Sequence, residues 1–295
     1  MNIVAGLLAV TAAGLLPQAA WAAPGDVILR IEGMGGVARD KRPLSGSDTD
    51  FSGGVLPSVG FRIGNTLQVQ ADAMIADHLG DTIWATAGHI GVKPSAKVSV
   101  GVYGAYAHLK SFEKLDTYRI GAEAVYHADR VSLSGIAGYE HNERATAIVG
   151  VIPGFTVVDD YGRKGNFFSM ADISFYPRDS WSLTAGHRYI GGRHAAALGT
   201  EKSLSASGSG FTLFAEGRIG NAGYAAAWAG IRLRFGSNGV SLRDQDRNSG
   251  YANRLKDELF GASNTRRRGQ VALPPPPPPP PPAGGCGGCG GSYCT

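Results

Sequence analysis

Cysteine is nearly absent from this 295-residue chain: three occur, at 286, 289 and 294, all in the last ten residues. The body is therefore not built on disulfides. Long apolar runs are as scarce. After residue 23 none approaches the ~20 residues of a helical membrane span, so any membrane residence must come from something other than helices. Neither charge dominates: 28 basic residues face 24 acidic ones, a net +4. That excess is too small to argue for nucleic acid, and Arg266, Arg267 and Arg268 form only a short cluster. No G-x-S-x-G, H-E-x-x-H or phosphate-cradling glycine loop stands in a supporting context. What is abundant is glycine, 44 residues, roughly twice the usual share of about 7%.

Residues 1–23 carry no charge and contain an apolar run, Ile3 to Leu16, followed by Ala20-Trp21-Ala22. This reads as a secretory signal peptide cleaved near Ala22 or Ala23, although the n-region lacks the usual Lys or Arg. An uncleaved anchor is the alternative. A signal peptide implies an exported mature chain.

From about Asp26 to Phe235 the pattern has period two. In TLQVQADAMIA, Leu67, Val69, Ala71, Ala73 and Ile75 alternate with Gln68, Gln70 and Asp72. Tyr118, Ile120, Ala122, Ala124 and Tyr126 alternate with Thr117, Arg119, Glu123 and His127, and Leu213 and Ala215 oppose Thr212, Glu216 and Arg218. A helix would instead repeat apolar residues at i, i+3 and i+4. The spacing predicts twelve strands at about 26–38, 53–64, 66–77, 82–92, 97–109, 117–128, 131–142, 166–177, 181–190, 194–203, 209–219 and 223–235. The strand at 194–203 is weakly patterned, and ten is the alternative count. Short turns such as Gly64-Asn65, Lys93-Pro94-Ser95 and Ala128-Asp129-Arg130 fall on one side. Two longer connections, 39–52 and 143–165, fall on the other. That asymmetry matches outer-membrane barrels, with short periplasmic turns and longer outer loops.

A soluble sandwich would share the alternation, but strands of 10–13 residues exceed its usual five or six and suit a tilted crossing of roughly 9–11. Aromatics near strand ends suit interfacial girdles: Trp84, Tyr126, Phe167, Phe168, Phe175, Tyr176, Trp181, Tyr189, Tyr224 and Phe235. The fold expected is all-β, a transmembrane antiparallel up-and-down barrel of about twelve strands over residues 24–236, in the outer membrane of a Gram-negative bacterium.

In WAGIRLRFG, the set Gly230, Leu233 and Phe235 is similar to the final-strand signal by which the barrel assembly machinery recognises bacterial outer-membrane proteins. More broadly, GAEAVYHADRVSLSGIAGYE, ADISFYPRDSWSLTAGHRYIGGRHAAALGTE and LFAEGRIGNAGYAAAWAGIRLRFGS resemble alphaproteobacterial, porin-like outer-membrane β-barrel proteins. The resemblance covers roughly residues 60–245. It implies fold and place, with outer-membrane lipid and the assembly machinery as partners, and brings no catalytic residues or cofactor with it. Barrels usually finish at the aromatic residue, whereas here 60 residues follow Phe235.

The polar face of the strands collects Asp72, Arg119, Glu123, Glu140, Asp172, Arg188, Glu216, Arg218, Arg232 and Arg234. Unpaired buried charge is costly, so these residues must face water or one another. They line either a narrow passage with a set ion preference or a barrel filled by ion pairs, and twelve strands lie between the filled and open cases. The first reading gives a passive, porin-like pore for small polar solutes. The second gives a structural or anchoring barrel. A hydrolase is the lesser alternative, resting on His127 facing Ser132 and Ser134 of the next strand.

After the barrel, residues 237–273 read as a polar linker in which RLKDELF is the one plausible helical turn or two. Pro274 to Pro282 should form polyproline II, about 28 Å of stiff spacer. Cys286, Cys289 and Cys294 follow, candidates for a disulfide or free thiol. Metal binding lacks a fourth ligand, and no metal site is expected. With Phe235 on the periplasmic side, the tail is expected as a disordered periplasmic arm available to a periplasmic partner.

Overall fold

A computed structural model of the chain describes residues 27–42, 46–64, 66–110, 114–143, 146–160, 164–204, 210–235, 240–248, 250–262 and 267–272. The expected signal peptide and the polyproline and cysteine tail, with Cys286, Cys289 and Cys294, lie outside the described residues. So do residues 236–239.

Twelve antiparallel strands close into a barrel. They are β1 (Val27–Arg42), β2 (Gly46–Ile63), β3 (Leu67–His78), β4 (Asp81–Ser95), β5 (Val98–Lys110), β6 (Lys114–His127), β7 (Val131–Asn142), β10 (Gly165–Arg178), β11 (Trp181–Ile190), β12 (Arg193–Ser203), β13 (Phe211–Gly220) and β14 (Ala225–Phe235). Neighbours in sequence pair throughout, and β1 closes on β14 from Leu29↔Phe235 to Arg39↔Ala225. Each of the twelve expected strands is present, including the weakly patterned one at 194–203, which pairs along its length with β11. Closure removes every free edge, so the backbone donors and acceptors of the wall are satisfied within it.

The alternation sorts cleanly into an inner and an outer face. Ile120 is 62% exposed and its neighbour Arg119 is 6% exposed. Leu67, Val69, Ala71, Ala73 and Ile75 point outward from β3 while Gln68, Gln70 and Asp72 are buried. The polar side is thus the enclosed side, the inverse of a water-soluble sheet protein. Outward aromatics form two belts. Trp84, Tyr118, Tyr139, Phe167 and Tyr189 lie near one end, with Trp84–Tyr106 and Tyr106–Tyr118 ring centroids both 5.1 Å apart. Phe61, Tyr126, Phe175, Trp181 and Phe235 lie near the other. Tyr118 to Tyr126, Phe167 to Phe175 and Trp181 to Tyr189 are each eight residues apart. At ~3.3 Å per residue and a tilt of about 40°, that is about 20 Å of height, close to the apolar band of membrane barrels. Phe168, Tyr176 and Tyr224, expected in the girdles, instead point inward and are buried. Each sits one residue from an outward position, where period two forces it inside.

The turns at 64–66, 96–97, 128–130 and 179–180 define one mouth of the barrel, here the turn mouth, and the connections at 79–80 and 191–192 lie at the other, the loop mouth. Residues 39–42 and 46–52 are strand and not loop: β1 and β2 stay paired out to Arg42↔Gly46, a two-stranded ribbon beyond the rim. Its sequence loses the alternation because pairing needs only backbone groups, and no bilayer face constrains it there. The long connection after β7 holds a hairpin, β8 (Thr146–Ile152) and β9 (Phe155–Asp160).

The largest departure from expectation concerns residues 240–262. They are not a linker outside the barrel. They run through its interior as helix α1 (Leu242–Asn248), an irregular stretch at 250–256, and helix α2 (Asp257–Ala262), and a further strand, β15 (Arg267–Ala272), pairs with β9 beyond the loop mouth. Leu242, Leu255, Leu259 and Phe260 are fully buried. The physical reason is pairing: the charges that suggested a solvated linker are complemented one by one by charges on the inner wall.

Candidate functional site: the occupied lumen

The site is the interface between the inner wall and its own C-terminal segment. At the turn mouth, Ser241 caps α1: its Oγ accepts the Asp244 N–H at 3.2 Å and donates to Asp244 Oδ2 at 2.8 Å. Lys93 Nζ and Arg62 Nη2 reach the free carbonyls at the other end of the helix, those of Arg247 (2.9 Å) and Asn248 (2.7 Å). The Arg247 guanidinium donates to the carbonyls of Ala128 and Asp129 on the β6–β7 turn. Asp246 accepts from Tyr176 Oη (3.1 Å) and Arg234 Nη2 (2.9 Å).

Deeper in, Tyr251 lies flat on His89, rings 5.3 Å apart and within 10° of parallel. Its N–H donates to Gln70 Oε1 at 3.0 Å and its hydroxyl to the Val100 carbonyl at 3.1 Å. The wall is glycine at this contact: a Cβ on Gly91 would overlap the Tyr251 hydroxyl. His89 is itself fully buried, with Nδ1 2.9 Å from Glu123 Oε2 and Nε2 3.1 Å from Asp72 Oδ2. Asp72 also faces Arg30 at 4.0 Å.

The middle of the segment is an ion-pair lattice. Arg254 pairs with Asp172 and donates to Ser134 Oγ at 2.8 Å. Lys256 Nζ lies 2.8 Å from Glu32 and also pairs with Glu216. Asp257 Oδ1 accepts from Arg188 Nε at 2.8 Å and Arg218 Nη2 at 2.9 Å. Glu258 pairs with Arg119, which also reaches Glu140 at 3.0 Å. Wall residues complete the lattice: Arg188 meets Asp172 through two parallel bonds of 2.8 and 3.1 Å, Arg232 lies 2.6 Å from Glu32, and Arg234 lies 2.6 Å from Glu201. Toward the loop mouth, Phe260 packs on Tyr224 at 5.0 Å, with the Arg193 guanidinium 5.3 Å from its ring centroid.

All ten residues read from the sequence as interior-facing do face inward. Asp72 and Glu123 meet at His89; Arg119 bridges Glu140 and Glu258; Asp172, Arg188, Glu216 and Arg218 converge on residues 254–257, Arg232 joins Glu32 to Glu201, and Arg234 reaches Asp246. Sequence reasoning missed Arg30, Glu32, His89, Arg193 and Glu201. Arg30 and Glu32 were within its reach, because they alternate with outward Leu29 and Ile31. Beside the segment remains a cavity of about 200 Å³, whose wall includes Ser132, Ser134, Ser174, Ser182, Thr184 and Thr200.

Of the assembly-signal residues, Phe235 points outward at the turn mouth, Leu233 is half-buried, and Gly230 faces the Phe214 ring and the Gly33 carbonyl. The expected encounter of His127 with serine does occur, Nδ1 to Ser132 Oγ at 2.8 Å. The charged groups that act on His127 are the cations Arg247 and Lys93, and Glu123 is engaged by His89. The pair therefore lacks an orienting carboxylate among the described residues.

No family model matches this chain, and no curated protein matches it. Several solved structures do. An outer membrane channel from Pseudomonas putida F1 aligns over 75% of this chain and 100% of its own, at 9% identity and TM-score 0.49. The KdgM porin aligns over 69% and 98%, at 9% identity and TM-score 0.46. The outer membrane protein Omp33 of Acinetobacter baumannii aligns over 72% and 100%, at 13% identity and TM-score 0.37.

Proposed function

We propose that this chain is an outer-membrane barrel of the porin-like, alphaproteobacterial kind, a passive channel for small polar solutes whose lumen is closed by its own C-terminal segment. The observation that carries the reading is the inversion of the faces: an apolar outer surface with two aromatic belts around a charged interior. The outer surface meets lipid, and Phe235 with Leu233 and Gly230 serves the assembly machinery. The inner charges set the ion preference of the passage once the segment yields. The cavity beside the segment, lined by hydroxyls and charged side chains, is the part of that passage the segment leaves unfilled. Hydrolysis is a poorer reading, because His127 faces cations where a triad needs a carboxylate.

Planar-bilayer recording tests the channel. The wild-type chain should open rarely, while Asp257→Lys/Glu258→Lys, which sets lysines against Arg188, Arg218 and Arg119, should give steady, defined conductance steps. A variant that keeps heat-modifiable mobility, as folded barrels do, yet leaves the bilayer sealed would remove the pore and favour a purely structural barrel.

A further inference from the structure

The path of the C-terminal segment has a direction. Phe235 ends β14 at the turn mouth. Arg243 then donates its N–H to the Asp179 carbonyl in the β10–β11 turn, and Arg247 grips the β6–β7 turn, so α1 sits at the same mouth. Tyr251 lies mid-barrel on His89. Phe260 reaches Tyr224, in the connection between β13 and β14 at the opposite mouth. Gly261 adjoins Ile190, the last residue of β11, at that same mouth. Finally β15 runs antiparallel to β9, from Arg267↔Asp160 to Ala272↔Phe155, in the long connection beyond the loop mouth. The chain enters at one end and leaves at the other.

We propose that the barrel carries its own C-terminus across the membrane and displays residues 273–295 on the cell exterior. This rests on the outer-membrane reading above, in which short turns face the periplasm and the long connection faces outward. It reverses the periplasmic arm expected from the sequence, which followed from treating everything after Phe235 as staying where the barrel ends. The lattice of residues 254–258 acts as the mooring. Two acids meet Arg119, Arg188 and Arg218, and two bases meet Asp172, Glu32 and Glu216, so the segment is held in one register and one direction. Reversing its direction would set like charges against one another.

The chain's three cysteines all lie beyond residue 272, so they report the side directly. Intact cells expressing the full chain are reduced and treated with a membrane-impermeant maleimide. Two single-cysteine variants, each lacking the three native cysteines, calibrate the sides: Pro153→Cys in the β8–β9 turn, and Asp129→Cys in the β6–β7 turn. Native tail cysteines should label in intact cells as fully as Pro153→Cys, and an epitope appended after Thr295 should bind antibody on unpermeabilised cells. Asp257→Lys/Glu258→Lys should lose both signals until the outer membrane is permeabilised. Tail labelling only after permeabilisation, with Pro153→Cys labelled in intact cells, overturns the proposal and leaves the barrel's orientation standing. Protection of Pro153→Cys together with labelling of Asp129→Cys would overturn the orientation itself.

Discussion

The two halves of the lumen hold the same segment by different means. Near the turn mouth, α1 is gripped largely through main-chain carbonyls, by Lys93, Arg62 and Arg247, next to a cavity that serine and threonine hydroxyls share with charged side chains of the lattice. From the middle to the loop mouth apolar side chains close around it: Tyr103, Phe168, Tyr224, Leu255, Leu259 and Phe260 are each 1% exposed or less. The difference places the seal. Space beside α1 tolerates rearrangement, whereas a fully buried charge that loses its partner is costly.

The strongest way to break this comparison is Asp257→Asn. It removes the negative charge shared by Arg188 and Arg218 and leaves only an amide oxygen to accept from them, so the local opening free energy of residues 250–262 should fall by about 3–5 kcal/mol, the cost of breaking a buried ion pair. Hydrogen exchange of those amides measures it. An unchanged opening energy would mean that the lattice is hydrated and does not seal. Phe260→Ala should follow at about 3 kcal/mol, the low end for such a truncation, because the vacated space adjoins the mouth and water can enter it. The same exchange measurement applies, and protection should be lost first around Ala262.

How much of this was legible in the sequence follows from where the constraint comes from. A bilayer outside and polar groups inside impose period two on every crossing strand, so Tyr118 to Tyr126 and Leu67 to Ile75 announced their faces, and the interior charges followed by parity. The lumen segment has no such imposed period. RLKDELF does contain the turn of helix expected of it, yet its partners are Asp172, Glu216 and Glu32, distant by 82, 40 and 224 residues in the chain. Pairing at that range leaves no local trace. The one available hint was apolar: Leu255, Leu259 and Phe260 are buried in an otherwise hydrophilic stretch, and a solvated linker has no use for them. His89 was hidden for a related reason. Its neighbours on the inner face of β4, Ala87 and Gly91, are small, and a lone histidine among them carries no pattern.

Tyr251→Phe probes the boundary between the halves. It keeps the stack on His89 and loses the bond to the Val100 carbonyl, so opening should become easier by about 1 kcal/mol, the net worth of a typical hydrogen bond. A loss several times larger would show that the hydroxyl, not the ring, locks the segment against the glycine wall.

The smallest effect is expected at the turn mouth. Arg243 pairs with Asp179 at 3.0 Å and approaches Asp129 and Asp244, but the Asp179 side chain is 50% exposed and that of Asp129 is 91% exposed. Such wet pairs contribute about 0–1 kcal/mol. Arg243→Ala also leaves intact the backbone N–H that bonds the Asp179 carbonyl. Exchange at α1 should therefore change little, and exchange at residues 254–260 not at all, because those contacts lie on the far side of Tyr251. If Arg243→Ala instead loosened α2, the segment would open as one unit from the turn mouth, and the seal would belong to its anchor and not to the lattice.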